Sequence, residues 1–285
     1  MIKELRAALV GVAVLGLSAS LTTGCAGNHH AEIEPLPGVA EDVLPADADA
    51  RAEAVRRDPV GYLHAVAERC RKLEQYTLDF TRFERRGLFQ TMHGPEHIAC
   101  WYRRNPYSVR MKWRDEDLKY DESTYTQGQN DGKVRFVTRW WCPPLAAPPS
   151  INRIDPQASV TWGESRRPVT HFGLEQLMNR TEAALTEAGE TAVVTYEGLR
   201  QLPQTKRTVH HLHMVKPEVG GQPSIQELYI DVATDLPAGT VIKYASERIA
   251  EAYFYENVNT DVHLTDEDFL LTVERDGNSK GEKTK

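Results

Sequence analysis

From Tyr107 to Arg114 the chain alternates without exception. Tyr107, Val109, Met111 and Trp113 fall on one side of an extended backbone, and Ser108, Arg110, Lys112 and Arg114 on the other. Side chains alternate across a strand with period two, so this octet reads as β-strand with an apolar and a charged face. Similar runs occupy 76–84, 97–103, 133–141, 192–199, 208–215, 225–233, 240–247 and 249–258. So many strands must curl, stack or take a covering layer to bury their apolar side. Asn130-Asp131-Gly132 and Leu236-Pro237-Ala238-Gly239 read as turns between them.

Helical spacing interrupts the strands twice. Asp58-Pro59 offers an N-cap and a proline at the first helical position. Val60, Leu63, Val66, Ala67, Cys70 and Leu73 then predict an amphipathic helix over 59–75. A second is expected over 172–188, with Leu174, Leu177, Met178 and Leu185 on one side and Gly189 as a stop. Thr265-Asp266-Glu267-Asp268 reads as a capped turn leading into Phe269, Leu270 and Leu271. The Pro-rich stretch 142–170 is expected to be irregular, and 275–285 a disordered tail.

The beginning of the chain reads as an address. Lys3 and Arg6 precede an apolar run from Ala7 to Leu21, shorter than the roughly 20 residues a spanning helix needs. It ends in Leu21-Thr22-Thr23-Gly24-Cys25, which resembles the bacterial lipoprotein box. The resemblance implies a signal peptide over 1–24 and a lipidated Cys25. It also implies an exported protein held on a membrane, expected to face the periplasm at the outer membrane. Several acyl chains, at about 0.8 kcal/mol per buried CH₂, hold a chain there essentially permanently. Residues 25–56 are acidic, contain Pro35, Pro37 and Pro45 and lack aromatics. They are expected to form an extended tether to one domain over 57–274.

The order helix, antiparallel meander, mid-chain helix, more strands resembles the LolA-like lipoprotein-carrier superfamily. Asn105-Pro106 within 102–113, the stretches 166–178 and 228–239, and 251–269 are similar to the domain-of-unknown-function family 1571 within it. The resemblance implies a mainly β (α+β) fold: an unclosed, strongly curved antiparallel β-barrel with helices lying in its concave side. It brings no catalytic residues with it.

Chemistry is sparse. The chain has no G-x-S-x-G elbow, no H-E-x-x-H and no G-x-G-x-x-G. No cofactor is expected, and an enzyme is not the expected reading. A net charge of −7 removes a global electrostatic case for nucleic acid. His211 and His213 share a strand face with Glu227 or Asp231 within conceivable reach, yet solvated histidines outweigh a metal site. Arg103, Arg104, Arg110, Lys112, Arg114, Arg135 and Arg139 form a cationic set, read as a basic face toward water or toward an acidic or lipid partner. Cys100 and Cys142 are the expected disulfide, since Cys70 sits on an apolar helix face.

The candidate inward surface is Tyr107, Val109, Met111, Trp113, Phe136 and Phe254. If the barrel is hollow, these residues bind an apolar or acylated ligand, a lipid or a lipoprotein, for transport or sensing. If it is filled, the chain is a structural or interaction lipoprotein that docks another envelope protein.

Overall fold

The computed structural model describes residues 47–191, 193–203, 205–216 and 224–281. Eleven strands form one antiparallel sheet: β1 (Gln75–Arg86), β2 (Thr91–Arg103), β3 (Ser108–Trp113), β4 (Tyr120–Thr126), β5 (Val134–Thr138), β6 (Asn152–Ile154), β7 (Val193–Gln201), β8 (Thr208–Lys216), β9 (Ser224–Asp231), β10 (Pro237–Tyr244) and β11 (Ile249–Asn259). Their order is β6-β5-β4-β3-β2-β1-β11-β10-β9-β8-β7. Two meanders join where the first strand pairs with the last, Phe80 opposite Tyr255. The edges β6 and β7 do not pair with each other, so the sheet stays open.

Helices α1 (Ala48–Arg57), α2 (Pro59–Arg71) and α4 (Leu174–Ala188) are long; α3 (Ala158–Thr161) is a single turn, and α5 (Thr272–Gly281) ends the described chain. Asp58 caps α2, its carboxylate accepting from the Gly61 N–H at 2.8 Å. The apolar faces of α2 (Leu63, Val66, Cys70) and α4 (Leu174, Leu177, Met178) share one core with Val109 and Met111 of β3 and with Leu212 and Met214 of β8. In a flat sheet β3 and β8 would lie about 29 Å apart, at roughly 4.8 Å per strand. Only strong curvature brings both to the same helices, which therefore sit on the concave side.

The structure corrects several expectations. Residues 48–56 are helix, not tether. Ala48, Ala52 and Val55 are buried at helical spacing, and Arg51 donates from Nη1 to the Val232 carbonyl at 2.8 Å. Small alanines allow close packing without the aromatics whose lack suggested a tether. Residues 275–281 belong to α5, not to a disordered tail. Pro237 begins β10, and the turn comes earlier: the Asp231 carboxylate accepts the N–H groups of Ala233 and Thr234, and Asp235 takes φ +52°. Strands β4 and β6 escaped the pattern, because β4 buries Glu122, Ser123, Thr124 and Thr126 instead of apolar side chains. Cys25 and the leader lie outside the described residues. Among the described residues no helix is long and apolar enough to cross a membrane.

Candidate functional site: an apolar cleft with charged walls

The core does not fill the concave face. Between the β11-to-β6 half of the sheet and the segment before α4 lies a half-open cleft that encloses about 120 Å³. Phe80, Met111, Trp113, Phe136, Tyr253 and Tyr255 form its floor, and Pro168, Val169 and Phe172 its roof. The floor aromatics support one another: Phe80 stacks on Tyr255 with ring centres 5.4 Å apart and meets Phe172 edge-on at 5.3 Å.

The roof is pinned by tyrosines. The Tyr107 hydroxyl lies 2.8 and 2.9 Å from the carbonyl oxygens of Val169 and Phe172, and the Tyr76 hydroxyl accepts the Leu174 N–H at 2.9 Å. Gly173 makes the entry to α4 at φ +119°, and a Cβ there would stand 2.9 Å from the Tyr102 ring. Only glycine meets both demands.

One wall is ionic and buried. Glu96 accepts Arg82 Nη2 at 2.5 Å and Trp113 Nε1 at 3.1 Å, and it pairs with Arg86. Burial alone would raise its pKa; the Arg82 and Arg86 guanidiniums overcome that and hold it down to about 2. Glu84 accepts the Tyr253 hydroxyl at 2.5 Å, and Glu251 takes Arg166 and Arg167 at 3.1 Å each. This network orients Trp113 and Tyr253 in the cleft.

The structure sorts the residues singled out by sequence. Met111, Trp113 and Phe136 line the cleft; Val109 is in the core beneath, and Tyr107 braces the roof. Phe254 does not line it: it packs on the other face of the sheet against Phe83, and its neighbours Tyr253 and Tyr255 line the cleft instead. Strand β11 is apolar on both faces, so alternation could not choose between them. Phe80 and the roof also went unassigned, the roof because it lies in the irregular segment.

The cationic set is not an open basic face. Arg110 is 5% exposed, pairs with Glu122, and has its guanidinium over Trp101 at 4.6 Å. Arg103 pairs with Asp266 at 2.6 Å and Arg135 with Glu274, both acids of the C-terminal segment. That segment crosses the convex side of the sheet, Thr124 donating to the Phe269 carbonyl at 2.7 Å and the Thr272 N–H to Glu122 at 2.7 Å. Arg104 reaches Glu175 at 3.3 Å and Arg139 reaches Asp121 at 3.3 Å. Lys112 is half-buried, and Arg114 remains exposed beside Asp79.

His211 and His213 do reach Glu227, at 2.8 and 3.2 Å, but Lys243 occupies the same carboxylate at 3.0 Å. An ammonium there does the work a metal would do. Burial would raise the Glu227 pKa; bonds from His211 and Lys243 prevail and take it down to about 2. Among the described residues no group of three His, Cys, Asp or Glu side chains is placed to hold a metal. The expected Cys100–Cys142 bridge is not formed. Cys100 lies mid-β2, whereas Cys142 falls beyond the end of β5, which β3 and β4 separate from β2.

The family model described as "Protein of unknown function (DUF1571)" matches residues 73–274, which hold the whole sheet and every residue that lines the cleft. No curated protein matches the chain. Among solved structures it is similar to MucB, with 14% identity over 76% of this chain and 64% of that one, TM-score 0.44. It is similar also to the MucA/MucB complex of Pseudomonas aeruginosa, at 13% identity over 75% and 61% and TM-score 0.40. A LolA superfamily protein from Nitrosomonas europaea matches at 7% identity over 75% and 97%, TM-score 0.34. The chain spans less than two thirds of the MucB chains it matches.

Proposed function

The chain belongs to the family of unknown function DUF1571, and we propose that it is a binding protein whose cleft takes an apolar or acylated ligand, a lipid or the acyl chain of a lipoprotein. The observation that carries this reading is the cleft itself. Its floor is aromatic and thioether, and between floor and roof its mouth opens to solvent. A chain entering it would contribute about 0.8 kcal/mol per buried CH₂ before association costs. Met111 and Trp113 suit chains of varied shape, since a thioether repacks and an indole offers broad contact. In this reading the protein is exported and held on a membrane through Cys25, and it carries its ligand between membrane and partner or senses it.

The test is titration of the purified protein with an environment-sensitive fluorescent fatty acid. Val169→Trp fills the cleft from its roof without removing any core side chain. Saturable uptake by the wild type, lost in a Val169→Trp protein that melts cooperatively, supports the reading. No uptake by a folded wild type overturns it.

One observation favours a second reading, docking of an envelope protein. Leu88 and Phe89, 90% and 88% exposed, cap the β1–β2 hairpin, and Trp162 stands beside Gly87 and Leu88. Such an apolar tip marks an interaction surface. Loss of a co-purifying envelope protein in Leu88→Ser/Phe89→Ser, with fatty-acid uptake intact, would favour it.

A further inference from the structure

Each ionised side chain that lines the cleft has a partner of opposite charge, with one exception. Arg82 is paired with Glu96 at 2.5 Å and approaches Glu84 at 3.8 Å. Glu164 is paired with Lys119 at 2.5 Å, and Arg167 donates from Nε to Glu251 at 3.1 Å. Arg180, on α4, has no carboxylate within ion-pair distance among the described residues. Its guanidinium donates from Nη1 to the His171 carbonyl at 2.9 Å, which holds it at the cleft. It is half-buried, and burial and the neighbouring Arg167 both disfavour its charge. Glu251, the acid whose charge acts on it, is already shared by Arg166 and Arg167. A guanidinium stays protonated at any physiological pH, so a half-buried one without a counter-ion is a standing cost unless an anion joins it.

The cost lies in the cleft that would receive the ligand. The aromatic floor receives a chain, and Arg180 lies among the residues that line the same cleft. From this juxtaposition, and resting on the apolar-ligand reading above, we propose that the cleft selects anionic amphiphiles, with Arg180 binding the carboxylate or phosphate head of a ligand whose chain lies over Phe80, Trp113 and Phe136. A planar guanidinium pairs with either head through two parallel hydrogen bonds.

Displacement of the fluorescent fatty acid from the full-length protein by dodecanoate, dodecyl phosphate and dodecanol tests this, with Arg180→Gln and Arg180→Lys beside the wild type. Removing an unbalanced cation leaves the melting temperature of Arg180→Gln equal to or above that of the wild type. The wild type is expected to bind at least one anionic compound ten-fold or more tighter than the alcohol. Arg180→Gln should erase that preference with alcohol binding unchanged, and Arg180→Lys should keep part of it. Comparing dodecanoate with dodecyl phosphate tells which head is preferred, and either preference supports the proposal. Equal binding of all three by the wild type overturns the proposal and leaves the apolar-ligand reading standing. So does an equal loss for all three in Arg180→Gln. Binding of none overturns both.

Discussion

Glu96→Gln probes the ionic wall that sets Trp113 in the cleft. The wild-type carboxylate is 4% exposed and serves Arg82, Arg86 and Trp113 at once. Its pKa, down from 4.5 to about 2, corresponds to about 3 kcal/mol of stability at pH 7, at 1.36 kcal/mol per pKa unit. Glutamine keeps the shape and an acceptor for the indole but leaves two buried guanidiniums short of charge, a loss of about 3–5 kcal/mol for broken buried pairs. With a urea slope of about 2–3 kcal/mol/M, the unfolding midpoint should fall by roughly 1–2.5 M. The pH dependence has a fixed sign. A carboxylate depressed in the folded state stabilises above its unfolded pKa and loses that contribution as pH falls through the folded one. The gap between wild type and Glu96→Gln should therefore be full at pH 6–7 and fall below about half by pH 3. Urea unfolding at pH 7, 5 and 3 measures it. An unchanged midpoint at pH 7, or a gap that does not shrink in acid, would refute the argument.

Gly173→Ala should lower the melting temperature by several degrees, since it forces a Cβ against Tyr102 at positive φ. Tyr76→Phe should cost about 1–2 kcal/mol in urea unfolding, by orphaning the buried Leu174 N–H. Native thiol labelling should leave Cys70 and Cys100 unmodified until urea is added, because both are buried and burial pushes the Cys70 thiol up to about 12; non-reducing peptide mapping should find no bridge between Cys100 and Cys142. Mass spectrometry of the N-terminus should find acyl groups on Cys25, and Cys25→Ala should leave the membrane fraction.

Period-two alternation exposed nine of the strands because their concave side is apolar and continuous. It failed on β4 because that strand is buried under the C-terminal segment through Glu122 and Thr124, which look like solvent residues in sequence. The same cover misled the reading of Arg110. A charged side chain opposite an apolar one signals water only when nothing else crosses that face, and the segment that does so lies some 160 residues away. Within the cleft, Met111, Trp113 and Phe136 followed from their own strands. Tyr253 and Tyr255 did not, because Ala252 and Phe254 are equally apolar and pack a second cluster on the convex side. Arg180 was invisible for a different reason: its meaning is that no carboxylate among the described residues pairs with it in three dimensions, which no local pattern records.

The central claim is that the concave cleft, and no other surface, receives an apolar chain. Photolabelling with a diazirine-bearing fatty acid, followed by peptide mapping, tests it most directly. The account predicts label on the peptides that hold Met111 and Trp113, Phe136, and Tyr253 and Tyr255, with competition by unlabelled fatty acid and loss in Val169→Trp. Label confined to the Leu88-Phe89 tip or to the C-terminal segment, or label that unlabelled fatty acid does not displace, would contradict it.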